Sequence, residues 1–164
     1  MNQFLRVAAV GAFVAFAAGS ANAGEDCLSL MAKYDSATAM SAGTTDAQLS
    51  SATDMFRSVM KSAEKAKLCY SVKLAAAQGE EEISTLRAGA AEATRQFREA
   101  QQMFEKSLDD ISAATLSDVA PAAGPDSVMG MGDEIAISSM EQLFDSYMVL
   151  ERAQELDAEL HGLK

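Results

Sequence analysis

The chain has 164 residues, and its 24 acidic side chains outnumber the 13 basic ones, which gives a net charge of −11. This acidic balance disfavours nucleic acid and anionic membrane surfaces as the main partner, because both would repel the protein. Alanine, leucine, methionine and glutamate are abundant and only two prolines occur, so the composition predicts helices.

Residues 1–23 have the three parts of a secretory signal peptide. Arg6 provides a basic start, residues 7–18 form a short apolar run, and an A-x-A triplet occupies 21–23. The apolar run is shorter than the roughly 20 residues that a membrane-spanning helix needs. We therefore expect cleavage after this segment and a periplasmic mature chain, residues 24–164, which forms one domain and does not span the membrane; the alternative is an uncleaved N-terminal anchor.

The sequence contains two cysteines, Cys27 and Cys69. In an oxidising compartment an even number of cysteines favours a disulfide, so these two are expected to pair. A first helix over the whole of 25–40 would leave Cys27 about 15 Å short of Cys69, at 1.5 Å per residue. The bond therefore predicts that this helix ends near Tyr34 and that a long connection covers 35–45.

Seven-residue repeats of apolar side chains predict three long helices, at 46–77, 80–116 and 133–161. Such a repeat forms the seam along which one helix packs lengthwise against others. The repeats comprise Leu49, Ala52, Phe56, Val59, Ala63 and Ala66; then Ile83, Ala90, Phe97, Phe104 and Ile111, with Leu86, Ala93, Ala100 and Ala114; and finally Ile137, Met140, Phe144 and Tyr147, followed by Leu150, Leu156 and Leu160.

Gly79 decides between two architectures. A glycine after a helical run, followed by three glutamates, is typical of a helix end and the acidic first turn of the next helix. With a turn there, the chain is all-α: an antiparallel four-helix bundle with a short first helix and three long helices. The alternative is a single helix over 46–116, about 100 Å long, whose seam would need a partner chain.

The residues that could carry chemistry are few, and they predict a binding protein without enzymatic activity or a cofactor. Arg57, Lys61 and Lys65 recur every four residues and form a basic stripe on one helix face. Such a stripe near a cleft predicts a site for a small anion. In the alternative interpretation, Glu151 and Glu155 of a neighbouring helix pair with these cations.

A periplasmic haem electron carrier is the alternative function. Periplasmic b-type cytochromes with a four-helix bundle hold haem between an early methionine and a late histidine, and Met31 and His161 occupy similar places in this chain. The sequence lacks a C-x-x-C-H motif, so covalent haem attachment is excluded.

One stretch of the chain resembles a known family. Residues from Met60 through Ala66-Lys67 and Cys69-Tyr70, and then Phe97, Phe104 and Leu108, resemble the N-terminal sensor domain of type IV pilus chemotaxis transducers and nitrate sensors. The resemblance covers residues 50–150 and implies a periplasmic four-helix bundle of the sensor type. The family's ligand-contacting Arg-Gln-Arg-Met-Leu-like motif is replaced by Arg57-Ser58-Val59-Met60. The expected partner is thus a small anion or a periplasmic protein, a second copy of the chain included.

Overall fold

The computed structural model describes residues 23–119 and 132–163, and every regular element in these two ranges is a helix. The five helices are α1 (Ala23–Leu28), α2 (Ser36–Met40), α3 (Thr45–Ala76), α4 (Glu80–Val119) and α5 (Gly132–His161). The predicted signal peptide lies outside the described residues apart from its last position. Contacts join α3, α4 and α5 to one another, and α1 and α2 each contact α3 and α4.

α3 and α4 form an antiparallel hairpin. Phe56 in the middle of α3 stacks on Phe104 of α4, with ring centroids 4.4 Å apart. Tyr70 near the end of α3 lies against Gly89 near the start of α4. The predicted turn at Gly79 is therefore confirmed, and the alternative of one continuous helix is wrong.

α5 runs parallel to α3 and antiparallel to α4. Two ion pairs fix its direction: Arg57 bonds to Asp145 at 2.7 Å, and Lys67, further along α3, bonds to Glu159 at 2.6 Å, further along α5. The three long helices thus lie side by side, with alternating direction along the chain. Helices of similar length commonly pack with alternating direction in helical bundles.

The buried side chains of the long helices form two clusters along one core. A cluster of stacked and edge-on rings lies in the middle, with Phe56 between Phe97 and Phe104 and with Tyr34 against its edge. The second cluster lies around Tyr70 and the cysteines. All six seam residues predicted for α3 are buried, and so are Ala90, Phe97, Phe104, Ile111, Leu86, Ala93 and Ala100 of α4, whereas Ile83 is half-buried and Ala114 is exposed.

The predicted disulfide between Cys27 and Cys69 is confirmed; the two Cα atoms are 5.6 Å apart. The segment around it differs from the prediction. α1 already ends at Leu28, well before Tyr34, and the expected connection over 35–45 contains a second helix, α2.

The non-helical residues 31–35 supply the length that the disulfide requires. Non-helical backbone can rise by up to about 3.3 Å per residue instead of 1.5 Å, so a short non-helical stretch covers the distance that a continuous helix could not. The Ala32 N–H donates a hydrogen bond of 2.8 Å to the Ser62 hydroxyl, which holds this stretch against α3. The Asp35 carboxylate then accepts hydrogen bonds from the Ala37 and Thr38 N–H groups and caps α2.

The seam predicted for the start of the last helix is wrong. Met140, Phe144 and Tyr147 point outward and are 71%, 67% and 50% exposed, and the side chain of Ile137 lies outside the described residues. The buried face of α5 instead carries Ser146, Val149, Leu150, Ala153, Leu156 and Leu160. Leu150, Leu156 and Leu160 are therefore core residues as predicted, while Met140, Phe144 and Tyr147 belong to a second apolar face that the described residues leave exposed.

None of the helices in the described ranges combines the length and the apolar character that crossing a membrane would require.

Candidate functional site

The predicted basic stripe lies on α3 beside α5. Arg57 is half-buried and bridges the two helices, because its guanidinium bonds to Asp54 at 3.3 Å and to Asp145 at 2.7 Å. Lys61 and Lys65 are exposed. The acidic partner on the neighbouring helix is therefore Asp145, and not Glu151 or Glu155 as the alternative interpretation expected.

A groove of about 340 Å³ runs between α3 and α5 and includes part of this stripe. Its charged lining residues are three cations and one acid, and the other lining residues are apolar. The lining residues are Arg57, Lys61, Arg152, Glu64, Met60, Met148 and Val149. Lys65 does not line the groove, and Arg152 of α5 takes part instead. Sequence spacing along a single helix gives no signal for Arg152, because the groove forms only when α5 packs beside α3.

A second groove, of about 400 Å³, lies on the opposite side of α5, between α5 and α4. Its charged lining residues, Glu105, Asp109 and Glu151, are all acidic. Tyr147 and Leu150 also line it, so it flanks the same turns of α5 as the first groove. The cations of the first groove are largely paired, Arg57 with Asp54 and Asp145 and Arg152 with Glu155, whereas the charged residues that line the second groove are all acidic.

Four large apolar side chains lie on the outer side of α5, between the two grooves and along their edges. Met140, Phe144, Tyr147 and Met148 are each 49% or more exposed. Their spacings of four, three and one residues place them on one side of the helix. We call this surface the α5 outer face. Sequence periodicity found three of its residues but assigned them to the core.

Met31 and His161, the predicted haem ligands, lie in different surroundings. Met31 packs against both core clusters. His161 is exposed, and its Nδ1 atom lies 3.4 Å from the guanidinium of Arg98, which also bonds to Asp157. Haem binding by this pair stays a prediction. The packing of Met31 against the core and the position of His161 beside Arg98 do not add support to it.

The shifted pKa values have structural causes. Hydrogen bonds from Arg95 and Gln96 lower the pKa of Glu92 to about 2, and this ion pair lies on the surface of α4. Burial raises the pKa of Tyr70 to about 12, and the charge of Glu92 acts in the same direction. Glu92, Arg95 and Gln96 link successive turns of α4, and Tyr70 packs between α3 and α4, so both shifts belong to groups that hold the fold together. In the part of the chain that the structure describes, no three His, Cys, Asp or Glu side chains are grouped as metal ligands would be.

No protein-family model, curated protein or solved structure matches this chain.

Proposed function

We propose that this chain is an exported, non-enzymatic binding protein whose α5 outer face binds another protein. Its helices follow the plan of a four-helix bundle, in which α1 and α2 together take the place of the first helix. The observation that carries the proposal is the exposure of four large apolar side chains on one side of α5.

The α5 outer face has the composition of a protein-binding surface. Aromatic residues and methionine are enriched where proteins meet, and a contiguous apolar patch is uncommon on a protein that stays free in water. Phe144 and Tyr147 supply large rings, and Met140 and Met148 supply flexible side chains that adapt to a partner. Charged side chains that line the grooves on both sides, such as Lys61 and Glu151, correspond to the polar rim that surrounds the apolar centre of an interface.

Two features support export to the periplasm. A disulfide joins Cys27 and Cys69, and disulfides persist in oxidising compartments. Residues 1–23 have the pattern of a cleavable signal peptide. The resemblance to a periplasmic sensor domain agrees with this location, and we propose that the bundle acts in the same general way, as a binding module.

Photo-crosslinking tests the proposed surface. A benzoylphenylalanine placed at Phe144 or Tyr147 is expected to give covalent adducts with a protein in bacteria that export the chain, because both positions lie at the centre of the apolar face. Ser84, exposed on the surface of α4, is the matched control and should give none. Equal adduct formation at all three positions, or none at Phe144 and Tyr147, would contradict the proposal.

The groove between α3 and α5 supports a second candidate function, which is the binding of a small organic anion with an apolar tail. Lys61 and Arg152 would hold the charged group, and Met60, Met148 and Val149 would contact the tail. Of these cations, Arg152 already pairs with Glu155, whereas Lys61 makes no ion pair with a described residue.

Octanoate is a suitable probe for this groove. It is expected to raise the melting temperature of the native protein, because a ligand that binds only the folded state stabilises it. The shift should disappear in the double variant Lys61→Gln/Arg152→Gln and persist in Lys65→Gln, since Lys65 does not line the groove. An absent shift in the native protein, or an equal shift in all variants, would rule this candidate out.

A further inference from the structure

We propose that the α5 outer face binds the outward side of α3 of a second copy of this chain, and that the two helices run antiparallel across the contact. The inference rests on the proposed function, which assigns protein binding to the α5 outer face. It adds the partner, the surface that the partner offers and the direction of the two helices.

α3 has an exposed apolar patch of its own. Leu68 and Val72 are 64% and 60% exposed, on the side of the helix that faces away from the core. Lys61 and Lys65 precede them in the chain and are exposed as well. Spacings of four, three and four residues place these four side chains on one side of α3. We call this surface the α3 outer face; it begins with two cations and ends with two apolar residues.

The two lysines of the α3 outer face are available to a partner. Neither makes an ion pair with a described residue, in contrast to Arg57, which pairs with Asp54 and Asp145. Glu151 of α5 is exposed and likewise has no ion pair within the described ranges. Because it follows Tyr147 by four residues, Glu151 continues the side of α5 that carries the outer face.

The two outer faces carry the same features in opposite order. Along α3 the charged residues come first and the apolar ones follow, whereas along α5 the apolar residues come first and Glu151 follows. Two such helices match when they run in opposite directions. Both faces advance by four, three and four residues, so the pairs fall in register over two heptads. The pairs are Val72 with Met140, Leu68 with Phe144, Lys65 with Tyr147 and Lys61 with Glu151.

Every pair in this register is chemically compatible. The first two pairs join large apolar side chains, which leave water together. Lys65 can lay its apolar stem and its ammonium group on the ring of Tyr147. Lys61 meets the carboxylate of Glu151, so the unpaired charges of the two faces neutralise each other. The antiparallel contact thus has an apolar half and a charge-matched half.

Other ways of joining the same surfaces place Glu151 badly. In a parallel arrangement with the same overlap, Val72 lies opposite Glu151 and both lysines lie opposite apolar residues. If two α5 outer faces overlap fully, Glu151 meets either its own copy or Met140. Like charges that meet, and a charge buried against an apolar side chain, both cost energy. Charge and register therefore favour the α3 outer face as the surface that covers α5.

This contact joins two different surfaces, so it does not close on itself. A heterologous interface leaves one free α3 outer face at one end of a dimer and one free α5 outer face at the other, and further copies can add there. One helix against one helix gives an interface at the low end of the usual size range. The net charge of −11 on each chain adds general repulsion. We therefore expect weak, reversible assembly into dimers and longer chains.

Complementation of two blocked variants tests the contact. Phe144→Glu alters only the α5 outer face, and Leu68→Glu alters only the α3 outer face. In sedimentation velocity, each variant alone should self-associate at least about tenfold more weakly than the native mature protein. An equal mixture should form a dimer that grows no further, because one intact face of each variant remains. Ser84→Glu is the matched control on α4 and should assemble as the native protein does.

Three results would overturn the contact. The first is a native protein that stays monomeric at concentrations on the order of 1 mM. The second is a Leu68→Glu variant that assembles like the native protein, which would show that two α5 faces pair with each other. The third is a mixture of the two blocked variants that stays monomeric. Circular dichroism of both variants establishes that these exposed substitutions leave the helices folded.

Charge reversal tests the register and the direction. Lys61→Glu and Glu151→Lys should each weaken assembly by about threefold or more, because each brings like charges together. Both substitutions in one chain should restore assembly to within about twofold, since each new charge then meets its opposite in the next copy. Single variants without effect, or a double variant that stays weak, would overturn the antiparallel register.

Photo-crosslinking at Phe144 separates this inference from the proposed function. An adduct with twice the mass of the chain, joined to a peptide that contains Leu68, supports the contact. An adduct of twice the mass that is joined to α5 overturns the role of α3. An adduct of a different mass, from a protein that sediments as a monomer, overturns the second copy and leaves protein binding by the α5 outer face intact. A monomer that gives no adduct contradicts both.

Discussion

Replacing Cys27 and Cys69 together by alanine is expected to lower the free energy of unfolding by about 4 kcal/mol. The disulfide closes a loop with a sequence separation of 42. In the chain-entropy model, opening a loop of this size raises the conformational entropy of the unfolded chain, which lowers the free energy of the unfolded state by about 4 kcal/mol. Cys27 is fully buried in the cluster around Tyr70, so the variant also loses part of this packing.

Urea denaturation followed by circular dichroism measures this loss. The native protein treated with a reductant provides the control and should lose a similar amount, and the intact mass before and after reduction establishes that the bond was formed. Hydrogen exchange should show early loss of protection in α1 and residues 31–35, since the bond joins this segment covalently to α3. A decrease below about 1 kcal/mol would mean that packing around Tyr34 holds this segment without the bond.

Replacing Gly89 by alanine is expected to destabilise the fold by about 1–3 kcal/mol, although alanine is the better helix former. A Cβ atom at Gly89 would lie 2.7 Å from the Tyr70 hydroxyl oxygen and 3.0 Å from the ring atom Cε1. The Tyr70 side chain is fully buried, so the rigid ring has little room to move away. The glycine therefore allows α3 and α4 to approach closely at this level.

A double-mutant cycle separates this clash from other effects. Tyr70→Phe removes the oxygen atom nearest to the added Cβ, so the cost of Gly89→Ala should be smaller in that background. Gly43→Ala is the matched control: no atom lies within 4 Å of its added Cβ, and its effect should stay within about 0.5 kcal/mol. Thermal and urea unfolding measure all four variants of the cycle. Equal costs with and without the Tyr70 hydroxyl would contradict the close-approach argument.

Much of the fold could be predicted from the sequence because its long helices carry regular repeats. The helices predicted at 46–77, 80–116 and 133–161 correspond to α3, α4 and α5, with ends that differ by three residues or fewer. Phenylalanines and alanines at seven-residue spacing specify one buried face in α3 and α4, since the remaining faces are largely polar.

The orientation of α5 could not be predicted in the same way, because this helix has two apolar faces. Met140, Phe144 and Tyr147 are larger and more apolar than Ser146 and Ala153, so hydrophobic periodicity favours the exposed face as the core. The packing of the bundle favours the small residues instead: the Ser146 hydroxyl bonds to that of Thr53 at 2.8 Å, which brings α5 close to α3. Complementary polar contacts between distant residues leave no signal in a single helix.

The α5 outer face can therefore be identified only from the structure, which shows which side of the helix is buried. The basic stripe illustrates the same limit. Spacing placed Arg57, Lys61 and Lys65 on one helix face, but the groove between helices includes Arg152 in place of Lys65. A site built from two helices depends on their rotation about their own axes, and that rotation follows from packing across the whole bundle.

Both ends of the described chain lie at the same end of the helical bundle, and this determines how the protein would respond to a pulling force. Leu163 packs against the cluster that contains Cys27, so a pull on the two ends would separate α5 from its neighbours one contact after another, starting at that end of the bundle. With the disulfide intact, tension from the N-terminal side passes through Cys27 directly into α3 at Cys69. The residues between the two cysteines then carry no load, and α2 with most of α3 stays shielded while the rest of the chain is extended.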